Sequence, residues 1–167
     1  NGAPQQVGKS ILYSNGSGTG QYPLIGMTPN MRVYERTSGK GMDNEYIQLL
    51  IRVARYCIEK FDAMIVLIPH EIKKNTLKQD DRYLCSLIQS AIYHRSMSIS
   101  LQDYYTAEQT KSVIECLDLL IGSRFHTIVF ALAAGVPSVA FGWAHKYKEL
   151  MRLVGQDQSA TDFKEFS

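Results

Sequence analysis

The segment Gly122-Ser-Arg-Phe-His126 places an arginine and a histidine two positions apart, directly after an apolar run. A guanidinium fork grips planar carboxylate or phosphate oxygens two at a time, and an imidazole exchanges a proton near neutral pH. Arg124 and His126 together therefore suit a small anionic ligand and proton transfer to or from it. If both were helical, their side chains would point about 200° apart, so at least one must sit in a turn to serve the same ligand. Ser123 is placed to cap the helix that follows, leaving backbone N–H groups and the positive end of the helix dipole for an anion. A second arginine, Arg32, comes with Asn30 in the segment Thr28-Pro-Asn-Met-Arg-Val33. The stretch Gly142-Trp-Ala-His-Lys-Tyr-Lys148 adds His145, Lys146 and Lys148, with Trp143 able to stack on a sugar or wall a site. Lysines in the first turn of a helix are electrostatically misplaced unless an anion offsets them. His70 and Glu71, in Ile68-Pro-His-Glu71, form a further candidate group. Each feature also has a plain reading, since isolated arginines are usually solvated and isolated histidines usually sit satisfied in a core.

Positioning these residues requires strand ends. From Leu24 onward short apolar runs alternate with amphipathic stretches, which is the pattern of repeated βα units and a parallel sheet. Strands are expected at Leu24 to Thr28, Ala63 to Ile68, Ser96 to Leu101, Leu119 to Gly122 and Ser138 to Phe141. Ala63-Met-Ile-Val-Leu-Ile68 is apolar on both faces, as a central parallel strand should be. The intervening helices carry stripes such as Ile47, Leu50, Ile51, Ala54, Ile58 and Phe61. Their start signals are Asp43 or Asn44, Asp80 with Asp81, and the capping-box spacing of Thr106 and Gln109. Gly155 falls where a C-cap glycine belongs. The expected fold is α/β, a three-layer doubly wound parallel sheet of about five strands in the order 3-2-1-4-5. Ligands of such sheets bind beyond the carboxyl ends of the strands where the order reverses, here between the first and fourth strands. The loops holding Arg32 and Arg124 meet there.

A length of 167 residues, 45% hydrophobic and 20% charged, with a net charge of +2, describes one ordinary globular domain of residues 23–156. The small net charge gives no argument for nucleic acid or an anionic membrane surface as partner, which normally needs a concentrated basic face, so any anion specificity must be local. Residues 1–22 hold five of the 12 glycines and read as a flexible linker or inter-domain segment, and residues 157–167 as a tail. The Gly-x-Gly at Gly16 and Gly18 precedes the first strand, the wrong context for a dinucleotide loop, and Gly39-Lys-Gly41 lacks the upstream glycine of a phosphate-binding loop. Cys57, Cys85 and Cys116 are widely spaced and read as buried reduced thiols suited to a reducing cytoplasm, and the histidines show no metal-ligand spacing. No run approaches the roughly 18–20 apolar residues of a membrane span. The stretch Phe125 to Ala134 is apolar nearly all round, so this helix is expected to be covered on both sides, by a partner domain or by a central position.

The run Ile121-Gly-Ser-Arg-Phe-His126, then Ile128 to Ala134 with Gly135-Val-Pro137, then Trp143 and Lys146, resembles the C-terminal signature of polysaccharide pyruvyl transferases. Weaker similarity extends back through Ile68-Pro-His-Glu71 to Gly26-Met-Thr-Pro-Asn30. Phe125 stands where leucine is commoner and Trp143 where tyrosine is usual. The resemblance implies the Rossmann-like C-terminal half of a glycosyltransferase-B-like enzyme, with an N-terminal domain of the same protein as partner. Its reaction moves the pyruvyl group of phosphoenolpyruvate, as a ketal, onto a sugar of a cell-surface polysaccharide. Arg124 and His126 map onto the family's donor-binding and catalytic groups. Asn30, Arg32, His70, Ser123, Trp143 and Lys146 are expected to bind substrate, with no metal and no further cofactor. A bacterial cytoplasmic location follows, at the inner membrane face if the sugars are lipid-linked.

Two other readings stay open on the sequence. A nucleotide-sugar glycosyltransferase also ends its C-terminal domain with a helix and Gly-x-Pro. It usually places an acid after the fifth strand to hold the ribose, whereas this chain offers His145, Lys146 and Lys148 before Glu149. The other is a non-catalytic binding module or a degenerate relative, and the discriminator is whether Arg32, Arg124 and His126 gather in one pocket: side chains diverging into solvent would remove the physical basis of the enzymatic reading.

Overall fold

Successive residues of a strand face opposite ways, and in the second strand both directions are buried: Ile65 and Leu67 enter one apolar cluster, Met64, Val66 and Ile68 another. The sheet is therefore covered on both faces. The computed structural model describes residues 2–16, 21–74, 76, 79–92, 97–142 and 144–162, with backbone alone at 144–146, 157 and 162. The strands are β1 (Leu24–Thr28), β2 (Met64–Leu67), β3 (Ser98–Ser100), β4 (Leu119–Gly122), β5 (Ser138–Gly142) and β6 (Ala160–Asp162). They form a six-stranded, all-parallel sheet in the order β3-β2-β1-β4-β5-β6. Helices α2 (Met31–Tyr34), α3 (Glu45–Phe61) and α4 (Asp81–Ala91) cover one face, and α1 (Ala3–Ser14), α5 (Ala107–Ile114), α6 (Phe125–Ala133) and α7 (Ala144–Leu153) the other. This is a Rossmann-like, doubly wound arrangement, with its switch point between β1 and β4.

The caps follow the sequence. Asn44 accepts the backbone N–H of Tyr46 and Ile47 at the start of α3, Asp80 that of Arg82 at the start of α4, and Thr106 and Gln109 complete a capping box on α5. Gly155 takes the left-handed φ of 70° just beyond α7. Each fully buried aliphatic chain contributes about 1.5–3 kcal/mol relative to exposure. The register that buries both faces of β1, β2 and β4 is therefore strongly fixed.

Several expectations change. Phe61, read as the last member of the α3 stripe, is exposed. Residues 3–14, within the stretch read as a linker, form helix α1, which buries Ile11 and Leu12 against the α5 face. Gly8, which looks like a break, is a contact point: a Cβ there would strike the Ser112 carbonyl of α5. Residues 160–162, read as tail, extend the sheet as β6, with Ala140 opposite Ala160. Helix α6 buries Thr127, Ile128 and Ala131, but Val129, Phe130 and Leu132 remain half-exposed and Ala133 is exposed, so the described residues cover one face of it, which removes the central position and leaves the partner domain of the expectation. The third strand is shorter than expected, and Ser96 lies outside the described residues. Cys57 and Cys85 are buried free thiols and Cys116 is half-buried. Among the described residues no helix is long and apolar enough to cross a membrane.

Candidate active site

One carboxylate organises the strand ends. Asp80 occupies the N-cap of α4, so the adjacent Asp81 begins the helix and turns its side chain inward, where it is fully buried. Its Oδ1 accepts the Met31 N–H at 3.0 Å and Arg124 Nη2 at 2.7 Å. Its Oδ2 accepts the N–H groups of Glu71 (2.8 Å) and His70 (3.3 Å) and Arg124 Nε at 3.0 Å. Asp81 thus ties together the loops after β1, β2 and β4. Arg124 is only 8% exposed, and its Nη1 also meets Glu71 Oε2 at 2.8 Å. Burial by itself would lower the arginine pKa, but the two carboxylates reverse this and raise it, so the guanidinium stays charged.

The loops after β1 and β4 are pinned a second time by neutral groups. Buried Tyr46, on α3, accepts the Asn30 N–H at 3.1 Å and donates to Ser123 Oγ at 2.7 Å, while Asn30 Nδ2 donates to the Ser123 carbonyl at 2.7 Å. The Tyr147 hydroxyl, on α7, donates to that carbonyl at 3.1 Å. Burial raises the pKa of both tyrosines, so both are protonated donors at neutral pH.

Above this frame lies an open cleft of about 460 Å³, lined by Arg32, Arg36, His70, Glu71, Arg124, Phe125, His126, Tyr147 and Asn30. Arg32 and His126 are exposed and His70 is half-buried. The two imidazoles stack, with centroids 5.6 Å apart and planes inclined by 28°. Burial, then the nearby Arg124 and His126, push the His70 pKa below its usual 6.5, so His70 is neutral at pH 7. Arg124 has an extended backbone (φ −114°, ψ 123°) as the N-cap residue of α6, and no side chain caps the N–H groups that follow. The first N–H groups of α6 have no partner within the helix, and Phe125 and His126, which carry two of them, line the cleft. The arrangement can hold an anion between guanidinium groups and a helix start, with one neutral and one solvent-accessible imidazole beside it.

The family model for polysaccharide pyruvyl transferase matches residues 26–145, well over half of the chain. The chain belongs to the polysaccharide pyruvyl transferase family. No curated protein and no solved structure matches significantly. The matched stretch runs from β1 into the start of α7, so it contains every residue that lines the cleft except Tyr147.

Within this family member the sequence-predicted residues fall in different places. Arg32, Arg124, His126 and His70 line one cleft, and the extended backbone of Arg124 solves the angular problem of two residues on one helix. Asn30 lines it too, but its side chain caps α2 and bonds Ser123, which makes it a loop tie. Ser123 is not the cap of α6, a position Arg124 takes: the Ser123 N–H, just beyond β4, donates to the Thr28 carbonyl at 3.1 Å, and its hydroxyl is buried against Tyr46. Trp143 and the side chains of His145 and Lys146 lie outside the described residues. Asp81, Tyr46, Tyr147 and Arg36 were missed. A signal existed for Asp81: of two adjacent acids, only one can be the cap, and the second at the helix start needs another partner.

Proposed function

We propose that the cleft binds phosphoenolpyruvate and that the chain is the donor-binding, C-terminal domain of a two-domain pyruvyl transferase acting in the bacterial cytoplasm. The observation that carries this is the convergence of Arg32, Arg36, Arg124, His70 and His126 on one cleft beside the uncapped start of α6. A donor with a carboxylate and a phosphate needs two separate cationic seats. Arg32 and the helix start supply one, and Arg124 the other, with the Glu71 carboxylate giving way to that of the donor.

The chemistry requires both proton donation and proton acceptance. One sugar hydroxyl adds to C2 of the donor while C3 takes a proton and becomes a methyl group. A second hydroxyl then bonds to C2 as the C2–O bond to phosphate breaks, and its proton leaves with inorganic phosphate. His126, exposed in the cleft, is assigned proton donation to C3 or to the departing phosphate, and neutral His70 acceptance from a hydroxyl. Each such transfer is worth about 10²- to 10⁴-fold in rate. The two-point ion pair of Asp81 and Arg124 holds the seat rigid, so Arg124 acts by binding. The test is thermal-shift titration of the chain with phosphoenolpyruvate against nucleotide sugars. Stabilisation by phosphoenolpyruvate alone, without pyruvyl transfer by these residues alone, is expected. Stabilisation by a nucleotide sugar instead would overturn the donor, and transfer by the chain alone would overturn the two-domain reading.

A further inference from the structure

A second concavity sits beside the cleft. Its volume is about 890 Å³, within the roughly 300–1,000 Å³ of small-molecule sites, and Tyr34 and Tyr83 form its walls. Both rings are half-buried, their inner parts packed on the core beneath α3 and α4, with centroids 6.2 Å apart and planes at 83°. One segment separates the two concavities: Arg36 lines the cleft, while its neighbours Glu35 and Thr37 line the groove.

The groove is built in advance of any ligand. Fully buried Asn44 donates to the carbonyls of Tyr34 (3.1 Å), Thr37 (3.4 Å) and Gly39 (3.2 Å), and the Tyr34 hydroxyl accepts the Gly41 N–H at 2.7 Å. The loop over residues 35–43 is thereby fixed, with Gly39 and Gly41 at the left-handed φ values of 86° and 57°. A Cβ at Gly41 would point toward the Tyr83 hydroxyl, 3.8 Å away, so glycine keeps the floor open.

Resting on the pyruvyl transferase reading above, we infer that the Tyr34–Tyr83 groove is a subsite for the saccharide acceptor. Glu35 and Lys40 on the rim offset each other's charge, so the groove favours a neutral ligand over a phosphate or nucleotide. Perpendicular rings cannot sandwich a planar base, but one face and one edge suit a puckered pyranose, whose C–H face lies on the ring and whose hydroxyls reach Glu35, Thr37 and Lys40. A sugar chain held there runs past Arg36 into the cleft, where a hydroxyl pair meets the donor.

The test is saturation-transfer NMR on the full chain with a panel of neutral hexose and N-acetylhexosamine oligosaccharides. At least one is expected to bind, to shift the Tyr34 and Tyr83 ring signals, and to lose about tenfold or more in affinity in Tyr83→Ala while Tyr83→Phe keeps it. Gly41→Asn, compatible with the left-handed φ, blocks the floor and gives the same loss if Tyr83→Ala fails to fold. Binding by no member of the panel, or binding that Tyr83→Ala and Gly41→Asn leave unchanged, overturns the assignment. Phosphoenolpyruvate added to the same sample reports separately through the His70 and His126 ring signals. Its failure counts against the donor reading, while Tyr83-dependent saccharide binding supports the groove in either case.

Discussion

Asp81→Asn should be among the most damaging conservative changes available in this chain. The native carboxylate receives five N–H groups, from Met31, His70, Glu71 and, twice, Arg124, at 2.7–3.3 Å, and it is fully buried. An amide of the same shape must turn its NH₂ toward either the Oδ1 donors or the Oδ2 donors, so at least two N–H groups lose their acceptor. It also leaves the Arg124 guanidinium with Glu71 alone. Removing one partner of a buried pair costs about 3–5 kcal/mol, against a total stability of about 5–15 kcal/mol. At about 2–4 °C per kcal/mol for a chain of this size, Tm should fall by about 6–20 °C. Urea unfolding followed by circular dichroism measures the free energy, and m should stay constant. The reciprocal change, Arg124→Gln, should cost less, because three backbone N–H groups still hold the Asp81 carboxylate. A loss below about 1 kcal/mol for Asp81→Asn, or a larger one for Arg124→Gln, would refute the view that this carboxylate is the node of the site.

His126→Ala should leave urea stability within about 0.5 kcal/mol, because the side chain is exposed, and abolish pyruvyl transfer in the two-domain enzyme proposed above; retained turnover would remove His126 from proton transfer. The depressed pKa of His70 means that the unfolded chain binds its proton more readily than the folded one. The stability from a neutral His70 is thus fully present above pH 6.5 and declines as pH falls from there toward the folded-state value, so His70→Asn should flatten the stability curve below pH 6.5, read by urea titrations at several pH values. Gly8→Ala gains helix propensity but drives a methyl into the Ser112 carbonyl, so α1 should undock and become sensitive to limited proteolysis; unchanged protection would show that the helix yields without cost.

The fold was legible where burial is two-sided or alternates strictly. The apolar runs at 24–28, 63–68 and 119–122 have no reading other than sheet interior, and the caps at Asn44, Asp80 and Thr106 mark helix starts by local chemistry alone. Strand β6 escaped because Ala160-Thr-Asp162 is short, sits at an edge, and has almost no apolar signal. Helix α1 escaped because Gly8 in its middle and the glycines beyond Asn15 imitate a linker, while only Ile11 and Leu12 report burial. That Arg32, Arg124 and His126 meet at one cleft was legible because strand-end loops and the switch point follow from topology. Asp81 and Tyr46 were not, because their partners lie 43 and 77 positions away, and long-range pairing leaves no periodic trace.

That pairing changes the electrostatics inferred from the cations alone. A cluster of Arg32, Arg124 and His126 suggests a strongly positive pocket, yet the deepest guanidinium already carries Asp81 and shares Glu71. Asp81 is fully buried and held by three backbone N–H groups, so no ligand can replace it without breaking the loop frame. Glu71 is about one-third exposed and can move into solvent at little cost. The geometry therefore sorts the two acids into different roles: Asp81 fixes the direction of the guanidinium, and Glu71 fills its outer edge with a carboxylate that a ligand's own carboxylate can displace. Such exchange keeps the guanidinium paired at every stage, so the buried charge is never left uncompensated while the cleft changes occupant.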